Sequence, residues 1–372
     1  METSFVPEKQ IERAVGRNEA WWRDELEGYP LLWVYASDAK PGPPMPHVAD
    51  EAELWTNVDL AMAAAVSRIG RTHFAGDALP AYNPWLGPDQ FAAWLGADLR
   101  FRPGDSTSWV VPFVKAWEPG AEWRIDPANK WWRLYCELLE ESVRVGKGKW
   151  ATCFPDLHTG IDALSAMRGP ENLLVDLVEE PEAILGVMDQ MTGLWKWVVD
   201  YVWGVLRGSG QGTTNWTGGW SEGRFVCVGQ NDFTCMISRE MFDRFCLKDT
   251  VECVNHIDHA LYHLDGPGAL RHLPRLLEID RLHTVQWIHG DGQPPHSRWL
   301  EMLEGVQRAG KAVQIWYNLN YVRKLDMFKE LETVCTRLDP ARLFIGIEAG
   351  TAEQADAIVE FVVRLCRCGP FK

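Results

Sequence analysis

The chain has 372 residues, enough for one large α/β barrel or two ordinary domains, and 46 % of them are apolar, as in a globular protein with a sizeable core. Its formal net charge of -15 argues against nucleic acid and anionic membrane surfaces as partners. No run of about 18 apolar residues offers a membrane span. METSFVPEKQIERAVGRNEAWW lacks the apolar core of a secretory signal, and nine cysteines without paired spacing do not form a disulfide scaffold, so a cytoplasmic location is expected.

Residues 1–60 read as an N-terminal arm with a short strand over 31–35, and the Pro-rich loop Lys40-Pro41-Gly42-Pro43-Pro44-Met45-Pro46 separates it from the body. Beyond it, apolar runs rich in β-branched and aromatic residues recur near 71–76, 150–155, 211–216, 225–230, 260–264, 284–288, 312–317 and 343–347. Helical patterns lie between most of them. One covers 170–200, with Leu173, Leu174 and Leu177 at helical spacing; another covers 238–258 and opens on the N-cap Ser238. The runs at 211–216 and 225–230 are joined by the Gly-rich TTNWTGGWSEGR and not by a helix. Residues 98–125, around FRPGDSTSWVVPFV, read as an inserted hairpin.

Eight strands alternating mostly with helices predict a (β/α)8 TIM barrel over 61–365, the whole chain forming a single domain. A doubly wound sheet is the alternative. No G-x-G-x-x-G follows a strand, and Gly208-Ser209-Gly210-Gln211-Gly212 lacks the lysine of a phosphate loop. With no G-x-S-x-G and no cysteine beside an obvious histidine, nucleophilic Ser or Cys catalysis has no support.

The stretch YHLDGPGALRHL, 262–273, raises the main chemical question. In a strand, His263 and Asp265 project to one face, with Leu261 below them, while Tyr262 and Leu264 face the helices. At the C-terminal mouth of a barrel such groups form an active site. Other predicted strands also close on polar groups: Asp77, then Asp156 and His158, Asn231 and Asp232, His289 and Asp291, Asn318, and Glu348. Gathered carboxylates cannot all ionise freely, so some pKa values rise or a cation sits among them. One solution is a metal held by His263, Asp265 and Glu348, whose nitrogen and oxygen donors suit Zn²⁺ or another divalent ion. The other is metal-free acid/base catalysis by Asp156, Asp232 and Asp265. Asp77 and His158 complete the set of catalytic candidates.

Of twenty tryptophans, most belong in the core. Trp85, Trp216 and Trp220, in loops, are expected to line a pocket for a sugar, an aromatic ring or a quaternary amine, with His289 and Asn318 as polar partners. His256 and His259 belong to the end of a helix preceding a strand, away from the site. His272 and His283 read as surface or helix residues. Cys366 and Cys368 read as surface or helix-end thiols, with a metal or redox role as the alternative.

Three segments resemble the uroporphyrinogen decarboxylase superfamily. FPDLHTGIDALSAMRGPENLLVDLVEEPE, 154–182, is similar to its R-G-x-E-N-L-L-x-D-L-x-x-x-P-E helix region. DFTCMISREMF, 232–242, is similar to its I-S-P-E-M-F helix start, and YHLDG, 262–266, to the H-x-C-G strand of its corrinoid-dependent methyltransferase branch. The resemblance spans roughly residues 60 to 365 and implies a TIM barrel, often dimeric. Asp77 falls where the decarboxylases carry an aspartate after their first strand. The arm, however, has no R-Q-A-G-R motif and lacks arginines for a tetrapyrrole's carboxylates, which points away from porphyrinogen decarboxylation.

The methyltransferases hold zinc through His-x-Cys on this strand and a further Cys on the last strand. Here His263 matches, Asp265 replaces the first Cys and Glu348 takes the last-strand position. Oxygen ligands hold a thiolate substrate less well. The resemblance therefore implies demethylation of methoxy or methylamine compounds onto a corrinoid. No D-x-H-x-x-G corrinoid motif lies in this chain, so that corrinoid would sit on a separate protein. A metal-free lyase or hydrolase on a sugar-like or aromatic substrate, and a non-catalytic binding protein, are the alternatives.

Overall fold

A computed structural model describes residues 5–102, 107–118, 120–158 and 160–368. Residues 103–106 of the expected hairpin and the side chain of Cys368 lie outside the described residues. The strands are β1 (Leu31–Ala36), β2 (His73–Gly76), β3 (Ala81–Tyr82), β4 (Asp98–Phe101), β5 (Ser108–Val111), β6 (Ala151–Thr152), β7 (Phe225–Val228), β8 (His259–Asp265), β9 (Leu282–Ile288), β10 (Ala312–Tyr317) and β11 (Leu343–Ala349). Seven of them form one sheet in the order β2-β1-β11-β10-β9-β8-β7. All its neighbours are parallel except β1 and β2. β3 pairs with β6, and β4 with β5 as an antiparallel hairpin where one was expected.

The period of two along each strand sorts side chains into two cores. Leu32, Val34, Val226, Tyr262, Leu264, Ile315, Ile345 and Ile347 face the helices, among them Ile358 and Val362 of the helix Ala352–Cys368. The alternate residues Leu31, Trp33, Phe225, Cys227, Leu261, Ala312 and Phe344 form a second core on the opposite face. A sheet buried on both faces explains why these strands read as continuous apolar runs.

The N-terminal arm belongs to this architecture. β1 lies inside the sheet, between β2 and β11, and helix α1 (Glu8–Trp22) closes the end where the parallel strands begin. Trp22 stacks on His259 at 4.6 Å and meets Phe225 at 4.7 Å, and Trp21 meets Phe344 edge-on at 5.6 Å. Truncating either tryptophan would cost roughly 3–5 kcal/mol of stability.

Several expectations change. The strand expected at 71–76 is an antiparallel edge strand, not the first parallel strand of a barrel. It ends at Gly76, whose φ of +61° and 2.6 Å approach of a would-be Cβ to the Leu32 carbonyl exclude a side chain. The strand expected at 211–216 reduces to a single bridge between Thr213 and Ser221, because the glycines after it supply no side chains to pack a ladder. The strand expected at 150–155 is only Ala151–Thr152, extended by hydrogen bonds from Cys153 N to Tyr82 O and from Phe154 N to Thr214 O, both 2.8 Å. Among the described residues no ladder joins β3–β6 to the seven-stranded sheet.

The pattern over 170–200 is two helices, Pro170–Glu179 and Pro181–Gly208, broken where Glu180 precedes a proline. That over 238–258 is also two, Arg239–Phe245 and Leu247–His256, and Ser238 caps the first by accepting from Met241 N. No helix among the described residues is long and apolar enough to cross a membrane.

Candidate functional site

The site is built where β8 ends. His263 and Asp265 share the face of Leu261, as their spacing predicts, and leave the sheet at Gly266 (φ +71°). The register of β8 against β9 sets His263 opposite Gln286, and the Gln286 Oε1 lies 2.5 Å from His263 Nδ1. With that oxygen accepting, Nδ1 carries the proton and Nε2 keeps its lone pair. Trp216 meets the His263 ring edge-on at 5.1 Å.

A second set of groups comes from the segment after β6. His158 lies 3.7 Å from Asp156 Oδ1 and 3.7 Å from Asp162 Oδ2, beyond hydrogen-bond reach of both. Asp162 stands in the first turn of the helix Gly160–Arg168. Its carboxylate accepts from Asp232 N at 2.9 Å and Phe233 N at 3.0 Å, which fixes the start of the turn Asp232–Met236.

Two groups of metal-competent atoms result. Those of His158, Asp162 and Asp232 lie within 4.8 Å of one another, and so do those of Asp232, His263 and Asp265. Asp232 belongs to both. The side chains of Asp232 and Asp265 accept no hydrogen bond and form no ion pair among the described residues, whereas both oxygens of Asp162 are engaged.

Burial dominates the electrostatics. It pushes Asp156 up to about 7, Asp232 and Asp89 adding to the effect and Gln230 opposing it. It holds Asp162 well above the usual carboxylate range, and Asp232 reinforces this against two backbone N–H groups. Asp265 is raised by burial and by Asp232, against His263 and His289. Burial also lowers His158 to about 4 despite the charge of Asp232. Crowded, underneutralised carboxylates of this kind are what a bound cation relieves.

Two concavities adjoin these groups. One, of about 440 Å³, is lined by Asp89, His158, Asp162, Asp232, Phe233 and Met236. The other, of about 400 Å³, is walled by Trp33, Tyr35, Phe74, Trp216 and Trp316. Trp216 stands between the second cavity and His263.

The structure thus brings together Asp156, His158, Asp232, His263 and Asp265 from the sequence candidates, and sets others apart. Asp77 is fully buried at the opposite end, where it pairs with Arg17 at 3.0 Å and accepts from Leu32 N at 3.0 Å. Because β2 runs antiparallel, its last residue lies where the parallel strands start. Glu348 belongs to neither group: β9 and β10 separate β11 from β8, and its carboxylate lies 3.4 Å from Ser37 Oγ.

Trp85 packs on Trp55 at 5.3 Å. The Trp220 carbonyl accepts from Trp22 Nε1 at 2.9 Å, tying that residue to α1. Asn318 caps the helix Leu319–Lys324 by accepting from Tyr321 N. His289 is buried among Gly290 O at 3.0 Å, the Tyr321 hydroxyl at 3.3 Å and the His296 ring. Of the three loop tryptophans, only Trp216 lines the aromatic cavity.

His272 ends the short helix Leu270–His272, as expected of a helix residue, but is buried, with Nε2 bonded to Thr234 O at 2.9 Å; His283 is neither a surface nor a helix residue but lies half-buried in β9, packed against Trp21 and Trp22. His256 does end its helix, paired with Asp200 at 2.9 Å, while His259 opens β8 under Trp22. Cys366 does lie in the last turn of the helix Ala352–Cys368, as a helix-end thiol, but it is buried. Sequence reasoning missed Asp162, Gln286 and the wall residues Trp33, Tyr35 and Trp316. Period-two alternation on β1 and β10 could have found the walls, since Trp33, Tyr35 and Trp316 alternate with residues buried against the helices, Leu32, Val34, Ala36, Ile315 and Tyr317.

No family model and no curated protein matches this chain. Among solved structures it is similar to a methyltransferase from Methanosarcina mazei, with a TM-score of 0.59 over 95 % of this chain and 98 % of that one, at 11 % identity. At that identity the likeness is one of fold.

Proposed function

We infer that the chain is a metal-dependent methyltransferase, built on a uroporphyrinogen decarboxylase-like (β/α)8 barrel, that moves a methyl group from a small molecule to a corrinoid on a separate protein. One observation carries this reading: Asp232, His263 and Asp265 converge within 4.8 Å, and neither carboxylate has another partner among the described residues. The donor set fits a divalent cation. An imidazole nitrogen and two carboxylates offer three ligands and leave a position open for chemistry. Asp232 takes the place expected of Glu348.

A bound Zn²⁺ or similar ion would act there as a Lewis acid on the atom that carries the methyl group. The chain's own residues prepare the site. Gln286 fixes the His263 tautomer, and Asp162 places Asp232 by holding its backbone N–H. The overall likeness to a methyltransferase structure supports the reading at the level of fold.

Asp156 favours a second reading, metal-free proton transfer. Its Oδ1 is buried without a hydrogen-bond partner, and its pKa of about 7 suits a general acid or base near neutral pH. The two readings separate in one assay. Purified protein would be offered methoxy and methylamine compounds with cob(I)alamin as methyl acceptor, before and after chelation. The methyltransferase reading expects transfer to vanish with the metal and return with added Zn²⁺. Turnover indifferent to the chelator would overturn it in favour of Asp156.

A further inference from the structure

We propose that the chain holds a second, weaker divalent cation between His158, Asp162 and Asp232, so that the Asp232 carboxylate bridges two ions. This goes beyond the single-cation reading above and shares only Asp232 with it. The ligand atoms of these three residues lie within 4.8 Å of one another, as do those of Asp232, His263 and Asp265. His263 is near enough for its charge to act on His158. Paired ions in enzymes sit roughly 3.5–4 Å apart, a span that the two oxygens of one carboxylate cover.

The spacing is that of ligands and not of hydrogen bonds. His158 Nδ1 lies 3.7 Å from Asp162 Oδ2, and His158 Nε2 lies 3.7 Å from Asp156 Oδ1. Both gaps are too long for a hydrogen bond, whereas donors roughly 2–2.2 Å from one ion stand about 3–3.6 Å apart. Asp156 supplies an observation independent of the cluster. It is 8 % exposed, and its Oδ1 is buried without a hydrogen-bond partner, aimed at the His158 nitrogen that faces away from Asp162. A metal-ligating histidine generally gives its other N–H to a carboxylate. With Nδ1 on a cation, Nε2 carries the proton and Asp156 Oδ1 is its acceptor. Gln90 Nε2 donates to the Asp156 carbonyl at 2.7 Å and so fixes this segment.

Asp162 keeps room for an ion. Its two oxygens each take one backbone N–H, from Asp232 and Phe233, and an ionised carboxylate has about four acceptor sites. These bonds make it the poorer ligand, and the first cation already draws on Asp232. The second ion therefore binds more weakly and leaves when excess metal is removed. Among the described residues, the acids lining the adjoining cavity of about 440 Å³ are Asp89, Asp162 and Asp232, without a lysine or arginine to neutralise them. Arg271, whose charge reaches Cys235 in the same turn, donates to the carbonyls of Gly268 and Ile237. His158 lines this cavity too, so the open positions of the ion would face it and take an oxygen ligand from there. Two carboxylates and one imidazole suit Mn²⁺ as well as Zn²⁺.

The test is titration of the full chain, stripped by chelator, with Mn²⁺, free and bound ion being followed by electron paramagnetic resonance. The native protein should take up about two ions per chain in two steps, and the doubly loaded form should show the exchange-broadened signal of a bridged pair. His158→Ala should lose the weaker step alone and give the signal of an isolated ion; the tight step that remains shows that the variant is folded. Asp156→Ala should weaken the same step roughly 10- to 100-fold, and Asp156→Asn, which keeps an acceptor for Nε2–H, should restore part of it. His263→Ala should lose the tight step and keep the weaker one, so failure of the methyltransferase site and failure of this one are told apart. A single step in the native protein, a second step that survives His158→Ala, or two uncoupled signals would overturn the second site. A step lost in His158→Ala, with no tight step in the native protein, would remove the cation at His263 and keep this one.

Discussion

Gln286 and His263 face each other across β8 and β9, and the amide oxygen holds the imidazole Nδ1 at 2.5 Å. Gln286 is 1 % exposed, so this contact is sheltered from water. It fixes which nitrogen is free for a metal or a proton. Replacing Gln286 by Leu should lower metal affinity by roughly 10- to 100-fold, the usual effect of losing such a support. Competition with a chromogenic chelator measures it, and Gln286→Glu, which keeps the acceptor, should restore most of the loss.

Asp232 is the hub of both carboxylate groups, yet its side chain is exposed and its fold-bearing contacts are made by its backbone. Asp232→Asn is expected to abolish metal binding while changing stability by no more than about 0.5 kcal/mol. Glu348→Gln should leave metal content unchanged, because Glu348 belongs to neither group.

Asp77 should behave in the opposite way. It is fully buried, and its ion pair with Arg17 ties α1 to the turn after β2. Burial outweighs that arginine and raises its pKa, so the charge is held at a cost. Asp77→Ala would leave Leu32 N–H without its acceptor, while Arg17 keeps the Glu27, Tyr29 and Pro30 carbonyls, and is expected to cost about 2 kcal/mol in urea unfolding, with metal binding retained by the folded fraction.

Acid should destabilise the fold early. Burial lowers both His283 and His296 to about 3, so each ring is neutral in the folded protein near pH 7. The unfolded chain takes up those protons below about pH 6.5. The stability these histidines contribute is therefore present above pH 6.5 and lost as pH falls from there towards 3. His296 Nε2 meets the Trp316 carbonyl at 3.1 Å, a bond that Gln can replace. His296→Gln should move the acid-unfolding midpoint to lower pH, which a circular dichroism titration would show.

Much of the β8 chemistry could be read from the sequence, because alternation is a local property. His263, Asp265 and Leu261 fall on one face whatever surrounds them. The apolar runs that became β7 to β11 were visible for a related reason: both faces of the sheet are buried. Strand direction was not visible. Asp77 ends a strand as plainly as Asp265 does, but β2 is antiparallel, and its end lies at the far rim.

Convergence in space was hidden as well. Glu348 ends its strand correctly, yet two strands keep it from His263, while Asp232 reaches the site from a turn that Asp162 holds in place. Asp162 itself lies inside a helix, four residues after His158, and gave no strand-end signal. Trp220 and Trp85 sit in loops like Trp216, and only tertiary packing shows that they meet other tryptophans and not the cavity.

Carboxylates and an imidazole from β8 and the turn after β7 are proposed to form one divalent-cation site. Elemental analysis of the purified protein, dialysed against Zn²⁺ and then freed of excess ion, tests it most directly. A cation held by Asp232, His263 and Asp265 gives about one metal per chain in the native protein and none in Asp232→Asn. Equal metal content in the two proteins, or none in either, would contradict it.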